Sequence, residues 1–444
     1  MTDSLRIAGG QGFYGDATEP LADLLAEEPD VVVLEALAEL TLAILTKDRT
    51  RDETLGWTRD LPLYLMALLP AVLERGMTVI TNAGGINPVA ASAMVAKAAR
   101  GMGVSGLTVA TVVGDDLRGR PELLPDGFPS GEDLLFANAY LGARPIVEAL
   151  ERGANLVITG RVADAALFLA PLVHRHGWAW DDWDRLAAGI TVGHLLECSG
   201  QATGGNHAGR WWDVPEPWRF GFPIAEVEAD GTAVISKPTA AGGRVDFDTV
   251  RQQLLYEVHD PSAYLTPDVV LDMTTLALDD LGGDRVKVSG ATGKPATGRY
   301  KVVGAAPGGY GADLSLAFGW PDAEAKARAT ADLARKRIAH AGLELTGWHV
   351  ELFGVNALHG PAVPEPPDGQ PAEVVVRLAW SCSDKETCGN VARQIVPLGL
   401  SGPPPAFTAA NRARPRPSQL LQLHSGLIDR EPVDADVRVS VEEL

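Results

Sequence analysis

The chain has 444 residues, of which 46% are apolar and 22% charged, and a formal net charge of −20 at pH 7. That length allows two or three domains and at least one large core. The acidic balance argues against nucleic acid or an anionic membrane as the main partner, because binding phosphates needs a basic surface.

Taken in order, residues 5–9 (LRIAG), 30–35 (DVVVLE), 77–81 (MTVIT), 107–111 (LTVAT) and 155–159 (NLVIT) are short runs rich in Val and Ile. They have the pattern of buried parallel strands. Helical stretches separate them: one opening at Pro20, then 61–76, 88–103 and 143–154, each of the last three stopping at a glycine. This alternation predicts an α/β fold over residues 1–180, with an open parallel, Rossmann-like sheet covered by helices on both faces. Beyond it lie a helical stretch at 180–200 and a loop-rich aromatic stretch at 209–223. The runs IAEVE, TAVIS, DRVKVSG, RYKVVG and ADLSLAF then read as antiparallel strands, with a hairpin or bulge at the glycines between the last two. A helix at 322–342, strands at 347–355 and 372–380, a helix at 384–399, and proline-rich loops at 361–371 and 403–417 complete the chain. Residues 181–444 are thus expected to form an α+β second domain, with the boundary near 180 or 220.

The three cysteines, Cys198, Cys382 and Cys388, form no paired framework, and the start MTDSLRIAGG has no signal pattern. No apolar run reaches the roughly 20 residues that span a bilayer. The expectation is a soluble cytoplasmic protein in a reducing compartment, with no nucleic acid or membrane partner and with homo-oligomerisation left open.

In open parallel sheets, ligands bind beyond the carboxyl ends of the strands. The first such end reads GGQGFYGD, with Gly10, Gly12, Gly15 and Asp16; the second holds Glu35 and, a helical turn on, Glu39. The third is NAGGINP, with Asn82, Gly84, Gly85 and Asn87; the fourth ends in Asp115 and Asp116; the fifth supplies Thr159, Arg161 and Asp164. Any one loop is explained by ordinary turn chemistry; the set favours one shared pocket. The first loop has the G-x-G-x-x-G spacing of a dinucleotide site, and Glu35 follows Gly15 by 20 residues, where an acid would hold a ribose. Against that reading, the helix begins only near Pro20, Asp16 would repel a phosphate, and bulky Phe13 and Tyr14 fill the variable positions. No NAD or FAD is expected.

A second constellation is GHLLECSGQATGGNHAG, at 193–209. His194, Glu197 and Cys198 share one helix face, and Gln201, Gly204 and Gly205 follow in a flexible loop. Imidazole, carboxylate and thiol can act as acid and base, as nucleophile and base, or as metal ligands; a buried Cys beside a helix-terminal His is the plain alternative. No metal is expected, since no second ligand cluster exists. A third segment, at 249–273, carries Gln253, Tyr256, Glu257 and His259. It fits a substrate-contacting loop or a helix end turning into a strand. Trp211, Trp212 and Trp218 fit a pocket lining, an interface or the core.

The words GGQGFYGD, VLEALAELT, VITNAGGINP, VVGDD, ITGRVADAAL, GHLLECSGQATGG and QLLYEVHDPSAYLTPDV, in that order over most of the chain, resemble the acyclic terpene utilisation (AtuA-like) family. Longer relatives carry a ferredoxin-like domain after the shared region, which this sequence, ending in VRVSVEEL, is expected to lack. The resemblance implies a branched-chain acyl thioester or related acid as substrate, carried on coenzyme A or a carrier protein, and strengthens the GHLLEC segment as a site.

The leading expectation is a cofactor-independent enzyme, a lyase of the hydratase type or an isomerase. Asp164, Glu197 and His194 would do acid–base work, with Cys198 in the site and glycine-loop N–H groups holding an oxyanion. A hydrolase or acyltransferase using Cys198 with His194, a non-catalytic subunit of a thioester-processing complex, and a nucleotide-dependent enzyme stay open as alternatives.

Overall fold

The computed structural model describes residues 4–362, 371–404, 406–408 and 415–444. By its contacts the chain divides into two compact units, Met1–Ala305 with Leu423–Leu444, and Ala306–Gln422.

In chain order the elements are β1 (Leu5–Gln11), α1 (Pro20–Ala26), β2 (Val31–Leu34), α2 (Glu39–Arg51), α3 (Leu61–Arg75), β3 (Thr78–Thr81), α4 (Pro88–Met102), β4 (Thr108–Val113), β5 (Phe136–Ala139), α5 (Arg144–Glu151), β6 (Leu156–Thr159), α6 (Ala166–His176) and α7 (Trp183–Leu196). There follow β7 (Ile224–Val227), β8 (Ala233–Ser236), α8 (Phe247–Leu254), β9 (Tyr264–Leu265), β10 (Val269–Asp272), β11 (Ala277–Asp280), β12 (Val286–Ser289), β13 (Thr292–Pro295) and β14 (Arg299–Gly319). The remainder are α9 (Ala323–His340), β15 (Gly347–Phe353), β16 (Glu373–Cys382), α10 (Lys385–Ile395), α11 (Leu398–Ser401), β17 (Ala406–Thr408), β18 (Ser418–Asp429), α12 (Arg430–Asp434) and β19 (Arg438–Glu443).

The first unit is built on a ten-stranded mixed sheet, ordered β11-β12-β8-β7-β1-β2-β3-β6-β4-β19. Its centre, β1-β2-β3-β6-β4, is parallel, and these are the five strands the sequence marks. Alternate residues face opposite layers, as the period of two requires. Ile7, Val31, Val33, Ile80 and Val157 point to the layer of α5, α6 and α7. Ala8, Val32, Val79, Leu156 and Ile158 point to the layer of α1, α3 and α4. Both faces are covered, which is why the central runs are continuously apolar.

The sheet is not parallel throughout. β7 pairs antiparallel with β1, β8 with β7 and β12 with β8; at the other edge β19 pairs antiparallel with β4. β7, β8, β11 and β12, expected in a second domain, therefore extend the first sheet. They read as half-buried because Glu226 and its like face out along one side. A separate three-stranded sheet, β13-β10-β9, packs on α7.

Where a hairpin or bulge is expected at the glycines of 304–311, one continuous strand, β14, runs through Gly308 and Gly309 without turning back, with Gly309 at φ +82°. Its first part pairs with β5, Val302 opposite Ala139. In the second unit, its later residues lie between β16 and β17, with β15 beyond β16. There Leu314, Leu316, Phe318, Val376 and Leu378 form a core with α9 and α10. Much of the two proline-rich segments lies outside the described residues; at their margins Gly360–Ala362 is a helical turn and Ala406–Thr408 a strand. No helix among the described residues is long and apolar enough to cross a membrane.

Candidate active site

The site is assembled where the first strand-end loop meets the end of α7. Asp182 caps that helix at its start, and His194 and Glu197 stand three residues apart at its end, so they share a face. His194 is buried, and its Nδ1 lies 3.1 Å from Glu197 Oε1. Among the described residues its Nε2 and the second Glu197 oxygen have no hydrogen-bond partner. Gly12 packs directly on the turn that follows: a Cβ built there would come 2.8 Å from the Cys198 carbonyl carbon and from Ser199 N. Only glycine allows that approach, and it puts the first loop and Cys198 together.

Beside them is a cavity of about 400 Å³, within the range of small-molecule sites. Asp164, Glu197 and Glu257 give it acidic walls, Tyr140 and Tyr264 aromatic ones, and Lys301 and Arg299 of β14 a basic side. Ile190, Leu265 and Leu427 supply apolar surface. The Tyr264 ring lies 5.4 Å from that of His194. Glu257 holds a left-handed backbone, φ +58°, a conformation uncommon for a residue other than glycine.

Behind the cavity the strand ends are bound to one another. Arg161 is fully buried; it donates to the carbonyls of Leu37 and Val162, pairs with Asp164, and stacks on Tyr140 at 4.4 Å. Glu35 accepts from Leu37 N at 2.7 Å and Asn82 Nδ2 at 2.9 Å. Asp115 accepts from Asn138 Nδ2 and Arg161 N, both at 2.8 Å. Thr159 is buried, its hydroxyl on the Gly160 carbonyl.

These surroundings split the carboxyls. Burial raises Glu197, helped by Asp164 and Glu257 and opposed by His194. Burial likewise raises Asp164 against the pull of Arg161, and raises Glu35 well above its ordinary value. Glu39 goes the other way, to about 2: burial is outweighed by hydrogen bonds from its own backbone, the Tyr140 hydroxyl and Lys301. His194 is raised overall: burial lowers it, and the Glu197 carboxylate more than restores it. Cys198 is pushed far up, first by burial and then by Glu197.

Asp115 gives a test of these effects. Burial lifts it from 3.8 to about 6, so the folded protein holds a proton there that the unfolded chain releases. Its contribution to stability is fully present below about pH 4 and is lost as the pH rises through 6. Asp115→Asn keeps an oxygen for both donors and removes the titration. We expect it to match wild type in urea midpoint at pH 4 and to exceed it at pH 8 by about 2–3 kcal/mol. Parallel midpoints across that range would refute the shift.

Several candidates lie elsewhere or have structural partners. Asp16 accepts from Gly12 N, and Gly15 N donates to Asp60. The amides of Gly204 and Gly205 donate to the carbonyls of Gln201 and Gly200. The loop N–H groups expected to hold an oxyanion are thus taken up within the protein. Gly10 faces Val32 and Leu34 in the sheet, and Gly84 abuts the Thr159 carbonyl. Gly85, at φ +59°, leaves no room beside Leu45. Asn87 caps α4 and ties down the carbonyls of Glu53 and Leu55. Asp116 pairs with Arg118 at the surface. Gln201 bonds Gln253, which bonds the His194 carbonyl. Cys382 and Cys388 are buried and unpaired in the second unit.

The sequence reading missed Tyr140, Tyr264, Arg299 and Lys301. Tyr264 lies in the 249–273 segment already marked; Tyr140 follows the short strand β5, which the pattern did not reveal. Among the described residues no group of three or more His, Cys, Asp or Glu is placed to hold a metal ion.

A family model described as "Acyclic terpene utilisation family protein AtuA" matches residues 5–439. Neither a curated protein nor a solved structure matches the chain.

Proposed function

The chain belongs to the acyclic terpene utilisation family, and from that footing we propose that it is an enzyme acting on a branched-chain acyl thioester or related acid by acid–base chemistry, adding or removing water. The family description ties its members to the utilisation of acyclic terpenes. The observation that carries the finer reading is the cavity wall that sets Asp164 beside Glu197, both with raised carboxyls. A buried carboxyl raised above its ordinary range is the better proton donor, and its neighbour can accept a proton.

In this reading Glu197, held by His194, takes the proton from water as the water oxygen bonds the β-carbon and the double-bond electrons move to the thioester oxygen as an enolate. Asp164, held by Arg161, delivers a proton to the carbon next to the thioester carbonyl as that carbonyl re-forms. Lys301 and the hydroxyl of Tyr264, which burial keeps protonated, stabilise the enolate oxygen. The apolar walls at Ile190, Leu265 and Leu427 take the branched chain.

The environment of Cys198 supports this route over a covalent one. A nucleophilic thiolate needs a cation or a helix N-terminus beside it. Cys198 follows the C-terminal end of α7 among carboxyls, and His194 bonds Glu197 instead of the thiol. A panel of branched-chain enoyl thioesters tests the reading. The expected result is loss of enoyl absorbance with a mass gain of one water; no turnover of any of them by folded protein would overturn it.

A further inference from the structure

A run of amides joins the cavity wall to a second concavity in the same unit. Gln253 donates to the His194 carbonyl, Gln201 to Gln253, Asn206 to Gln201, and Gln252 to the Asn206 carbonyl, at 2.8–3.0 Å. Gln252 lines a groove of about 860 Å³ together with His207, Arg210, Arg244, Arg251 and Tyr256. Tyr256 is the chain neighbour of Glu257, which lines the cavity.

The groove contains a buried donor in need of an acceptor. His207 is 9% exposed, and its Nε2 lies 3.4 Å from Arg244 Nη2. A guanidinium only donates, so Nε2 accepts and Nδ1 carries the hydrogen. Nδ1 is buried and has no hydrogen-bond partner among the described residues. Leaving such a donor without an acceptor is unfavourable, and an anionic oxygen would offset that cost. Three guanidiniums stand nearby. Each meets an aspartate: Arg210 with Asp213, Arg244 with Asp246 and Arg251 with Asp248. Each has five N–H donors, so these contacts hold it in place and leave donors over. Tyr256 offers a ring face at 40% exposure, and Trp211 and Trp212, between Arg210 and Asp213, are 65% and 64% exposed.

We propose that this groove is a second ligand site, for a phosphorylated nucleoside: phosphate on the arginines and His207, base against Tyr256. The three aspartates make the groove formally neutral, so phosphate alone should bind poorly and the stacked base must add affinity. The site does not depend on the chemistry assigned to the cavity.

Calorimetric titration of the full chain with adenosine 3′,5′-bisphosphate, coenzyme A and inorganic phosphate tests this. The nucleotide should bind, and Arg251→Ala and Arg244→Ala should each weaken it at least tenfold. Arg251 is 56% exposed, so its variant is expected to fold. Glu197→Gln, in the cavity, should leave the affinity unchanged. Tighter binding of coenzyme A than of the bisphosphate supports the site as the seat of a thioester carrier; equal binding supports it as a free-nucleotide site. No heat with either nucleotide, equal affinity in both arginine variants, or loss only in Glu197→Gln overturns the proposal.

Discussion

Arg161→Ala should destabilise the first unit by about 3–5 kcal/mol, the range seen when one partner of a buried ion pair is removed. The guanidinium is wholly out of solvent and satisfies two carbonyls and Asp164 at once. It also offsets the Glu35 carboxyl, which burial already raises. Without it the two carbonyls lose a buried donor and the part-exposed Asp164 loses its partner, while the Tyr140 ring keeps only the Lys301 cation. Arg161→Lys should recover only part of the loss, because an ammonium cannot reach both carbonyls and the carboxylate with a planar fork. Denaturant midpoints with a fluorescence readout measure the effect; a change below about 1 kcal/mol would mean the network relaxes around the gap.

Glu197→Gln and Asp164→Asn should each lower turnover of the responsive thioester by about 10²- to 10⁴-fold, the usual worth of a positioned acid or base. Both replacements keep shape and hydrogen-bonding atoms, so the loss reports the proton. In wild type burial raises both carboxyls above the ordinary carboxylate range, and in this assignment one serves as the acid and the other as the base. The acid form is lost as the pH rises through the upper step, and the base form as it falls through the lower. A bell-shaped profile is therefore expected, and each variant should lack one limb. The double variant should be little worse than either single one, as for residues that act together. Turnover unchanged in both single variants would remove the acid–base assignment.

The parallel centre of the sheet was legible because strands buried on both faces are continuous Val and Ile runs with nothing else to resemble. The antiparallel edges were assigned to another domain because β7 and β8 bury one face more than the other, as strands of an independent sheet would. Glu35, Arg161, Asp164, His194 and Glu197 could be named from sequence because strand ends and one helix face collect chemistry in few positions. Their division of labour could not: Asp164 lines the cavity, while Glu35 and Arg161 stand behind it. Arg299 and Lys301 stood out least. On β14 they alternate with buried Tyr300 and Val302, the pattern of any strand with one wet face. Of the glycines spaced G-x-G-x-x-G, Gly12 makes a close backbone contact with Ser199, Gly10 packs on Val32 and Leu34, and Gly15 faces open space.

The pairing of β19 with β4, Glu443 opposite Thr108, has a consequence for the nascent chain. The strand that closes this edge leaves the ribosome roughly 300 residues after the one it covers. At the usual pace of synthesis the β4 edge that β19 covers stays open for on the order of tens of seconds, and an open strand edge invites pairing with other chains. Translation speed and holdase chaperones should therefore govern the yield of this protein, and the codons of β19 should decide when this sheet stops being sticky.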